Sequence, residues 1–195
     1  MIVILVCNCE ASCVTVDIVP VHVESVPELD PATEEKCSQW FRQAADIVFE
    51  KKTPGSKVVT LLERLTHKPG VLEKDDIRDE LKLELSTAMK VGGIPSGLIQ
   101  PLTKVFVLMS VNDIELLYTQ REDSIALYLR CLSLESLWRL RYMIESGLLL
   151  RFIREVIRQF IQVRHRVQML VRAADFNTCL YCLNSAAGQP ELFLF

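Results

Sequence analysis

Three motifs that would identify a common active site are absent from this sequence. There is no G-x-S-x-G around a serine, no phosphate-binding G-x-x-x-x-G-K-[ST] and no dinucleotide-binding G-x-G-x-x-G. The three histidines, His22, His67 and His165, are spread over predicted strands and loops. A catalytic Cys–His pair remains an alternative, because its two residues need to be adjacent only in space and not in sequence. We therefore expect a non-enzymatic protein with no cofactor and no small-molecule substrate.

Long apolar runs and a regular export signal are absent too. No segment has the roughly 20 consecutive apolar residues of a transmembrane helix, and the apolar start "MIVILVCNCEASC" is too short to span a bilayer and lacks a basic region before it. The odd count of seven cysteines favours reduced thiols inside a cell. We expect a cytoplasmic protein with no membrane span.

Positive charge is missing from the start of the chain and concentrated near its end. Residues 1–31 hold five acids and no Lys or Arg, whereas residues 121–172 hold ten Arg, five acids and no Lys. Clustered arginines suggest an anion-binding module for nucleic acid or membrane head groups, with Arg151, Arg154, Arg158 and Arg164 as its face. The competing interpretation is the solvated side of an amphipathic helix. Nucleic acid is not favoured, because no aromatic residues are interleaved for base stacking.

The spacing "CLYC" at Cys179 and Cys182 would suit zinc or thiol exchange. Zinc needs four ligands, and there is no second C-x-x-C to complete the set. The pair also lies inside a predicted helix, between leucines, instead of at a helix start after a strand. We predict small core residues and no metal site.

The first half predicts mainly helices. Residues 1–30 form an acidic, apolar segment with one or two short strands broken at Pro20, and residues 31–52 form an additional amphipathic helix capped by Asp30. The stretch "KVVTLLERL" is ambiguous between a strand and a short helix, and its β-branched residues favour the strand. "EKDDIRDELKLELSTAMKVGG" predicts a helix that ends at two glycines, and "IPSGLIQPL" predicts a loop or broken helix.

The second half changes hydrophobic period several times. "VNDIELLYT" and "SIALYLRC" alternate and predict an antiparallel hairpin, after which Ser133 can cap a helix that ends at Ser146 and Gly147. A second amphipathic helix follows, then a strand over "QVRHRVQMLVR", a helix over "DFNTCLYCLNSA" and an apolar tail at residues 186–195. The order predicts an α/β (α+β) sandwich with helices packed on a mostly antiparallel sheet.

The stretch "REDSIALYLRCLSLESLWRLRYMIESGLLLRFIREVI" resembles the N-terminal domain of the tumour-necrosis-factor-receptor-associated death-domain adaptor and the related TRADD-N-like domains of animal signalling proteins. In that family a strand with an apolar-x-apolar-x pattern leads into a "T/S-L-E-S-L" helix, an "S-G-x-L" turn and a second helix. The matching residues here lie in 127–131, 133–137 and 146–149. The best match covers residues 111–183, within a domain spanning residues 56–185.

The resemblance implies both a fold and a role. The fold would be an α/β sandwich, in agreement with the predicted element order. The role would be that of an adaptor or scaffold in innate-immune or cell-death (apoptosis) signalling, with a TRAF-type or other signalling protein as partner. No partner-binding residue of the family maps onto this chain with a matching motif.

Overall fold

The computed structural model describes residues 18–26, 29–66, 71–121, 125–161 and 166–186. Within these ranges the chain forms seven helices and four strands. In chain order they are β1 (Ile18–Val26), α1 (Pro31–Lys51), α2 (Lys57–Thr66), α3 (Val71–Val91), α4 (Ser96–Ser110), β2 (Ile114–Arg121), β3 (Ile125–Cys131), α5 (Leu134–Glu145), α6 (Leu148–Ile157), β4 (Arg166–Leu170) and α7 (Ala173–Ala186).

The four strands form one sheet in the order β2-β3-β1-β4, and each neighbouring pair is antiparallel. This arrangement of helices on an antiparallel sheet confirms the predicted α/β sandwich. The β2–β3 hairpin is confirmed as well, with Ile114 paired with Cys131 at its open end. A bulge between Leu116 and Tyr118 interrupts the pairing of the two strands.

The strand β1 lies inside the sheet, between β3 and β4, and the prediction that Pro20 breaks it is wrong. Pro20 pairs with Tyr128 of β3, whereas pairing with β4 begins only at His22. Pro20 therefore lies in the half of β1 that pairs on one side. A residue without an N–H group fits best where one side of the strand makes no ladder.

The hydrophobic core lies between the sheet and the helices. Val19, Val21 and Val23 of β1 are buried on the same strand face, and Leu127 and Leu129 of the neighbouring β3 are buried as well. From the helices, the core receives apolar side chains of α5 and α6. These buried residues are Leu137, Leu140, Met143, Leu149, Ile153, Val156 and Ile157.

The helix α1 begins where its capping residue predicts. The Asp30 carboxylate accepts hydrogen bonds from the backbone N–H groups of Ala32 and Thr33, at 3.1 and 3.0 Å, and Pro31 occupies the first turn. The buried side of α1 packs against β2, and Phe41 and Val48 are among its buried residues. The helix is thus part of the same core as the sheet.

In two stretches of the first half the structure has a helix where the sequence left two alternatives open. Residues 57–66 form the helix α2 instead of a strand, because Val58 and Leu61 are buried at helical spacing and the Ser56 hydroxyl accepts a hydrogen bond from the Val59 N–H group. For "IPSGLIQPL" the sequence left a loop or a broken helix open, and residues 96–101 are the start of α4, which continues through Pro101 without a break. Burial of nine of its fifteen residues offsets the cost of a proline inside the helix.

The connection from β3 to α6 follows local signals. The Ser133 hydroxyl accepts from the Ser136 N–H group at 3.1 Å, and the Ser136 hydroxyl accepts from the Ser133 N–H group at 2.9 Å. This reciprocal capping box starts α5. Gly147, with a φ of 70°, then lets the chain turn between α5 and α6, as predicted.

Candidate functional site

A cavity of about 240 Å³ opens between α5, α7 and the start of β1, and we call it the α5–α7 groove. Its inner wall is apolar and includes Val19 and Leu140, which are fully buried. Its rim is exposed and comes from both helices. The lining residues are Val19, Leu140, Arg141, Ile144, Glu145, Val171, Ala173, Phe176 and Asn177.

Helical spacing places the lining side chains of the groove next to one another. Leu140, Arg141, Ile144 and Glu145 lie one turn apart on the side of α5 that faces α7. In α7 the lining residues lie within the first two turns, and the N–H group of Phe176 donates to the Arg172 carbonyl at 3.1 Å as the helix starts. Both walls therefore stand on regular helices, and α5 is fixed by its capping box.

An aromatic and arginine cluster forms one end of the groove. The rings of Trp138 and Phe176 meet edge to face with their centroids 5.5 Å apart. The guanidinium carbon of Arg141 lies 5.7 Å from the Trp138 centroid and 5.3 Å from the Phe176 centroid. Arg141 Nε also donates to Glu145 Oε1 at 2.7 Å, so the arginine is held over both rings.

Large aromatic side chains stay exposed around this cluster. Trp138 is 43% exposed, and Tyr142, one turn further along α5, is 69% exposed. Tyr181 of α7, one turn beyond Asn177, is 74% exposed. Trp, Tyr and Arg are the residue types that contribute most to binding energy at protein interfaces.

The groove is chemically suited to binding an apolar side chain. The lining side chains carry no thiol, imidazole or hydroxyl group, and the carboxylate of Glu145 is paired with Arg141. Such a pocket favours the burial of an apolar side chain, and a few polar groups at the rim orient that side chain.

The arginine face predicted from sequence is divided in the structure. Arg151 and Arg158 are exposed, and the guanidinium carbon of Arg151 lies 5.1 Å from the Phe152 centroid. Arg154 is half-buried, and its Nη2 atom donates to the carbonyl oxygen of Val167 at 2.8 Å. This bond connects α6 to β4. Arg164 lies outside the described residues.

The cysteines of the "CLYC" spacing both lie on α7, where Cys179 is buried and Cys182 is half-buried. Across the described ranges, no three His, Cys, Asp or Glu side chains lie together as metal ligands would. Elsewhere, burial beside Glu34 and Asp30 raises the pKa of the Cys37 thiol to about 12. That thiol is a core group and is not an activated nucleophile.

None of the helices in the described part of the chain combines the length and the apolar character that crossing a membrane requires.

The groove was not predicted from the sequence, although the sequence contains part of the pattern that indicates it. Trp138 and Tyr142 stand one turn apart, outside the core stripe of α5, and two aromatic residues on the solvent side of a helix are a sign of an interface. Val19 and Phe176 gave no such sign. They join the groove only because β1 and α7 meet in the fold.

Comparison with known proteins adds no relative. No family model matches the chain, and neither a curated protein nor a solved structure is significantly similar to it. The resemblance to TRADD-N-like domains stays a prediction that depends on the quoted residues.

Proposed function

We propose that this chain is a non-enzymatic protein-interaction domain that binds its partner in the α5–α7 groove. The observation that supports this most is the cluster of Trp138, Arg141 and Phe176 beside the cavity. A partner side chain entering the groove would bury apolar surface on both helices and cover the exposed ring of Trp138.

The geometry of the cluster favours recognition over simple packing. Arg141 contacts two rings and a carboxylate, so its position is set before a partner arrives. A prearranged surface loses less side-chain freedom on binding than a surface that must order itself. The two helices that form the groove each have a first turn held by hydrogen bonds, and this keeps the walls of the groove apart.

The biological setting follows from the resemblance alone. It would make the domain a cytoplasmic adaptor or scaffold in innate-immune or cell-death signalling, with a TRAF-type or other signalling protein as partner. All three residues of the cluster, Trp138, Arg141 and Phe176, lie within residues 111–183, where the resemblance is best.

The test is partner capture by the purified full chain, compared between matched variants. Trp138→Ala and Arg141→Glu change the groove, and Leu83→Ala removes an exposed apolar side chain (62% exposed) from α3 as a control. We expect the groove variants to lose at least about tenfold in affinity, since hot-spot residues contribute about 2 kcal/mol or more. The control should bind like the wild type, and thermal melts should show that all three variants fold.

Two results would count against the proposal. One is a partner that binds Trp138→Ala and Leu83→Ala equally well. The other is binding that survives both groove variants, is lost in an Arg151→Glu, Arg158→Glu double variant and weakens steeply with salt, which is the behaviour expected of the anion-binding alternative. Those two arginines are exposed and lie two turns apart on α6 and its cap.

A further inference from the structure

The α5–α7 groove continues along both of its helices into exposed aromatic side chains. Ala173 and Asn177 line the groove from α7, and Tyr181 lies on the same side of that helix, so the three residues span about 12 Å of its axis. On α5, Tyr142 follows Trp138 after one turn. Both tyrosines and Trp138 are exposed. The groove therefore has the length and the apolar rim to accept about two turns of a helix from a partner.

The walls of the groove favour a helical segment over an extended one. An extended peptide binds best at a sheet edge, where a row of unpaired N–H and C=O groups completes its backbone hydrogen bonds. The groove walls come mainly from α5 and α7, whose backbone groups bond mostly within each helix. A helix satisfies its own backbone and can place a phenyl ring in the cavity of about 240 Å³, since an apolar cavity of roughly 150 Å³ accepts benzene.

Arg141 places unused hydrogen-bond donors at the edge of this cavity. Its Nε atom donates to Glu145 at 2.7 Å, whereas Nη1 and Nη2 make no hydrogen bond within the described part of the chain. The same guanidinium group lies over the rings of Trp138 and Phe176, which keeps it in one orientation. A partner that covers Arg141 without supplying an acceptor would bury these donors unpaired, and that would lower the affinity.

The acceptor that fits these donors best is a carboxylate. The N–H groups at the Nη1–Nη2 end of a guanidinium match the two oxygens of a carboxylate. Glu145, the other charged residue among those that line the groove, keeps 61% of its side-chain surface exposed, against 49% for Arg141. The Glu145 carboxylate can therefore stay in water when a helix covers the groove, whereas Arg141 is held over two rings. Charge complementarity favours a negative group on the partner at this point.

We propose that the α5–α7 groove takes an amphipathic helix of the partner, which places a large apolar side chain in the cavity and a carboxylate, one turn away, on Nη1 and Nη2 of Arg141. The spacing of one turn follows from the groove. The guanidinium carbon lies 5.3 Å from the ring centroid of Phe176, which lines the cavity, and side chains one turn apart on a helix are about 5–6 Å from each other. This inference rests on the proposed function, because it names the chemistry of the partner at the same site.

The first test titrates the full chain, labelled with ¹⁵N, with synthetic helical peptides held by a lactam bridge. Each peptide carries Leu, Phe or Trp as an anchor and a Glu one turn before or after it. We expect peptides of this set to shift the amide resonances of Ile144, Val171, Ala173 and Asn177. A set in which no peptide shifts these resonances at millimolar concentration, or in which the shifts are grouped on another surface, would overturn the proposal.

The second test examines the carboxylate. Replacing the Glu of the best peptide by Gln should weaken its binding to the wild type about tenfold, whereas Arg141→Met should bind both peptides alike. Arg139→Met is the matched control, since Arg139 also lies on α5 and pairs with Glu135 as Arg141 pairs with Glu145, but does not line the groove. It should keep the full preference for Glu. Equal binding of the two peptides by the wild type, or tighter binding of a Lys peptide, would overturn the carboxylate contact.

The third test examines the helical form of the occupant. A linear peptide of the same composition with a central proline cannot form the helix and should lose the binding. Equal affinity of the two forms would show that the groove takes an extended segment and would contradict the proposal. Shifts of the same groove amides with rising concentration of the protein alone would identify a second copy of the chain as the occupant, which would also contradict it.

Partner capture separates this inference from the proposed function. A partner that is lost with Trp138→Ala but captured equally by the wild type and Arg141→Met would refute the carboxylate contact and leave the groove as a binding site. Peptides that shift the groove amides and depend on Arg141, beside a captured partner that is indifferent to Trp138→Ala, would refute the proposed function and leave the peptide chemistry of the groove intact.

Discussion

The Ser38 hydroxyl of α1 donates a hydrogen bond to the Thr119 hydroxyl of β2 at 3.0 Å, and Thr119 Oγ1 donates to the Ser38 carbonyl oxygen at 3.1 Å. Both residues are buried, and 81 positions separate them in the chain. The pair connects the first helix to the edge strand of the sheet with its polar atoms satisfied. It thereby fixes α1 on β2 at one defined position.

We expect the two hydroxyl groups to be energetically coupled. Thr119→Val keeps the side-chain shape but leaves the Ser38 hydroxyl without its acceptor, which should cost about 1–3 kcal/mol in the free energy of unfolding. Adding Ser38→Ala should cost less than it does in the wild type, since no buried hydroxyl is then unpaired. Urea unfolding of the two single variants and the double variant measures this coupling. If the double variant loses as much free energy of unfolding as the two single variants together, the two hydroxyl groups are not coupled.

Asp30 should make the stability of α1 dependent on acid pH. The Thr33 hydroxyl and the backbone N–H groups that bond to the carboxylate lower the pKa of Asp30 below its usual value. A pKa lowered in the folded state stabilises the fold above the unfolded value of about 3.9 and loses this effect as the pH falls. Asp30→Ala should therefore lower the urea midpoint at neutral pH and match the wild type in strong acid.

Asp30→Asn provides the control for this prediction. Asparagine also caps helices but does not titrate, so its difference from Asp30→Ala should persist into acid. A wild type and an Asp30→Ala variant whose midpoints stay equally far apart at all pH values would contradict the assigned cause.

Cys37 should make the fold less stable in alkali. The folded pKa is about 12, whereas an unfolded thiol titrates near 8.5. Above about pH 8.5 the unfolded chain loses a proton that the folded chain retains, so stability falls as the pH rises, by up to about 1.4 kcal/mol per pH unit.

The measurement is urea unfolding under reducing conditions between neutral pH and about pH 10. Cys37→Ala should fall less steeply with pH than the wild type, although the lost packing lowers its stability throughout. The buried thiols of Cys131 and Cys179 are common to both proteins and cancel in the comparison. Parallel slopes for the two proteins would show that Cys37 ionises normally.

Arg154 and Arg158 should respond differently to the same substitution. Arg154→Met removes the donor to the Val167 carbonyl and should destabilise the fold by about 1 kcal/mol or more, whereas the exposed Arg158→Met should stay within about 0.5 kcal/mol. Thermal or urea unfolding distinguishes them. Equal effects would mean that the α6–β4 bond is not important for stability, and Arg154 would again be available to a partner.

The elements that were predicted correctly from the sequence are determined by residues close to them in the chain. Asp30, Ser133 and Gly147 each act on backbone groups within a few positions, through capping or a left-handed φ, so their effect does not depend on distant residues. The β2–β3 hairpin is local for the same reason. Such features can be predicted before any tertiary contact is known.

The elements that were predicted wrongly depend on contacts made elsewhere. Val58, Val59 and Thr60 favour a strand by type, yet α2 forms because its apolar side packs on α3. Pro101 looks like a helix breaker, yet α4 passes through it because most of the side chains of this helix are buried in the core. In each case packing overrides local preference.

The α5–α7 groove is harder to predict from the sequence, because residues of β1, α5 and α7 form its wall together. The helix α6 and the strand β4 lie between Trp138 and Phe176 in the chain, and only the fold brings the two rings together. The predicted arginine face shows a different effect of the fold. Arg151, Arg154 and Arg158 share a helical spacing, but Arg154 turns inward to a backbone carbonyl.

The inner position of β1 has a consequence for how the chain folds. His22 pairs with Ala126 of β3 and with Leu170 of β4, so both partners of an early strand are separated from it by more than half of the chain length. Such high contact order slows folding, since long loops must close before the strands pair. During synthesis β1 leaves the ribosome before both of its partner strands, and until they follow it has two unpaired edges that neighbouring molecules can recruit.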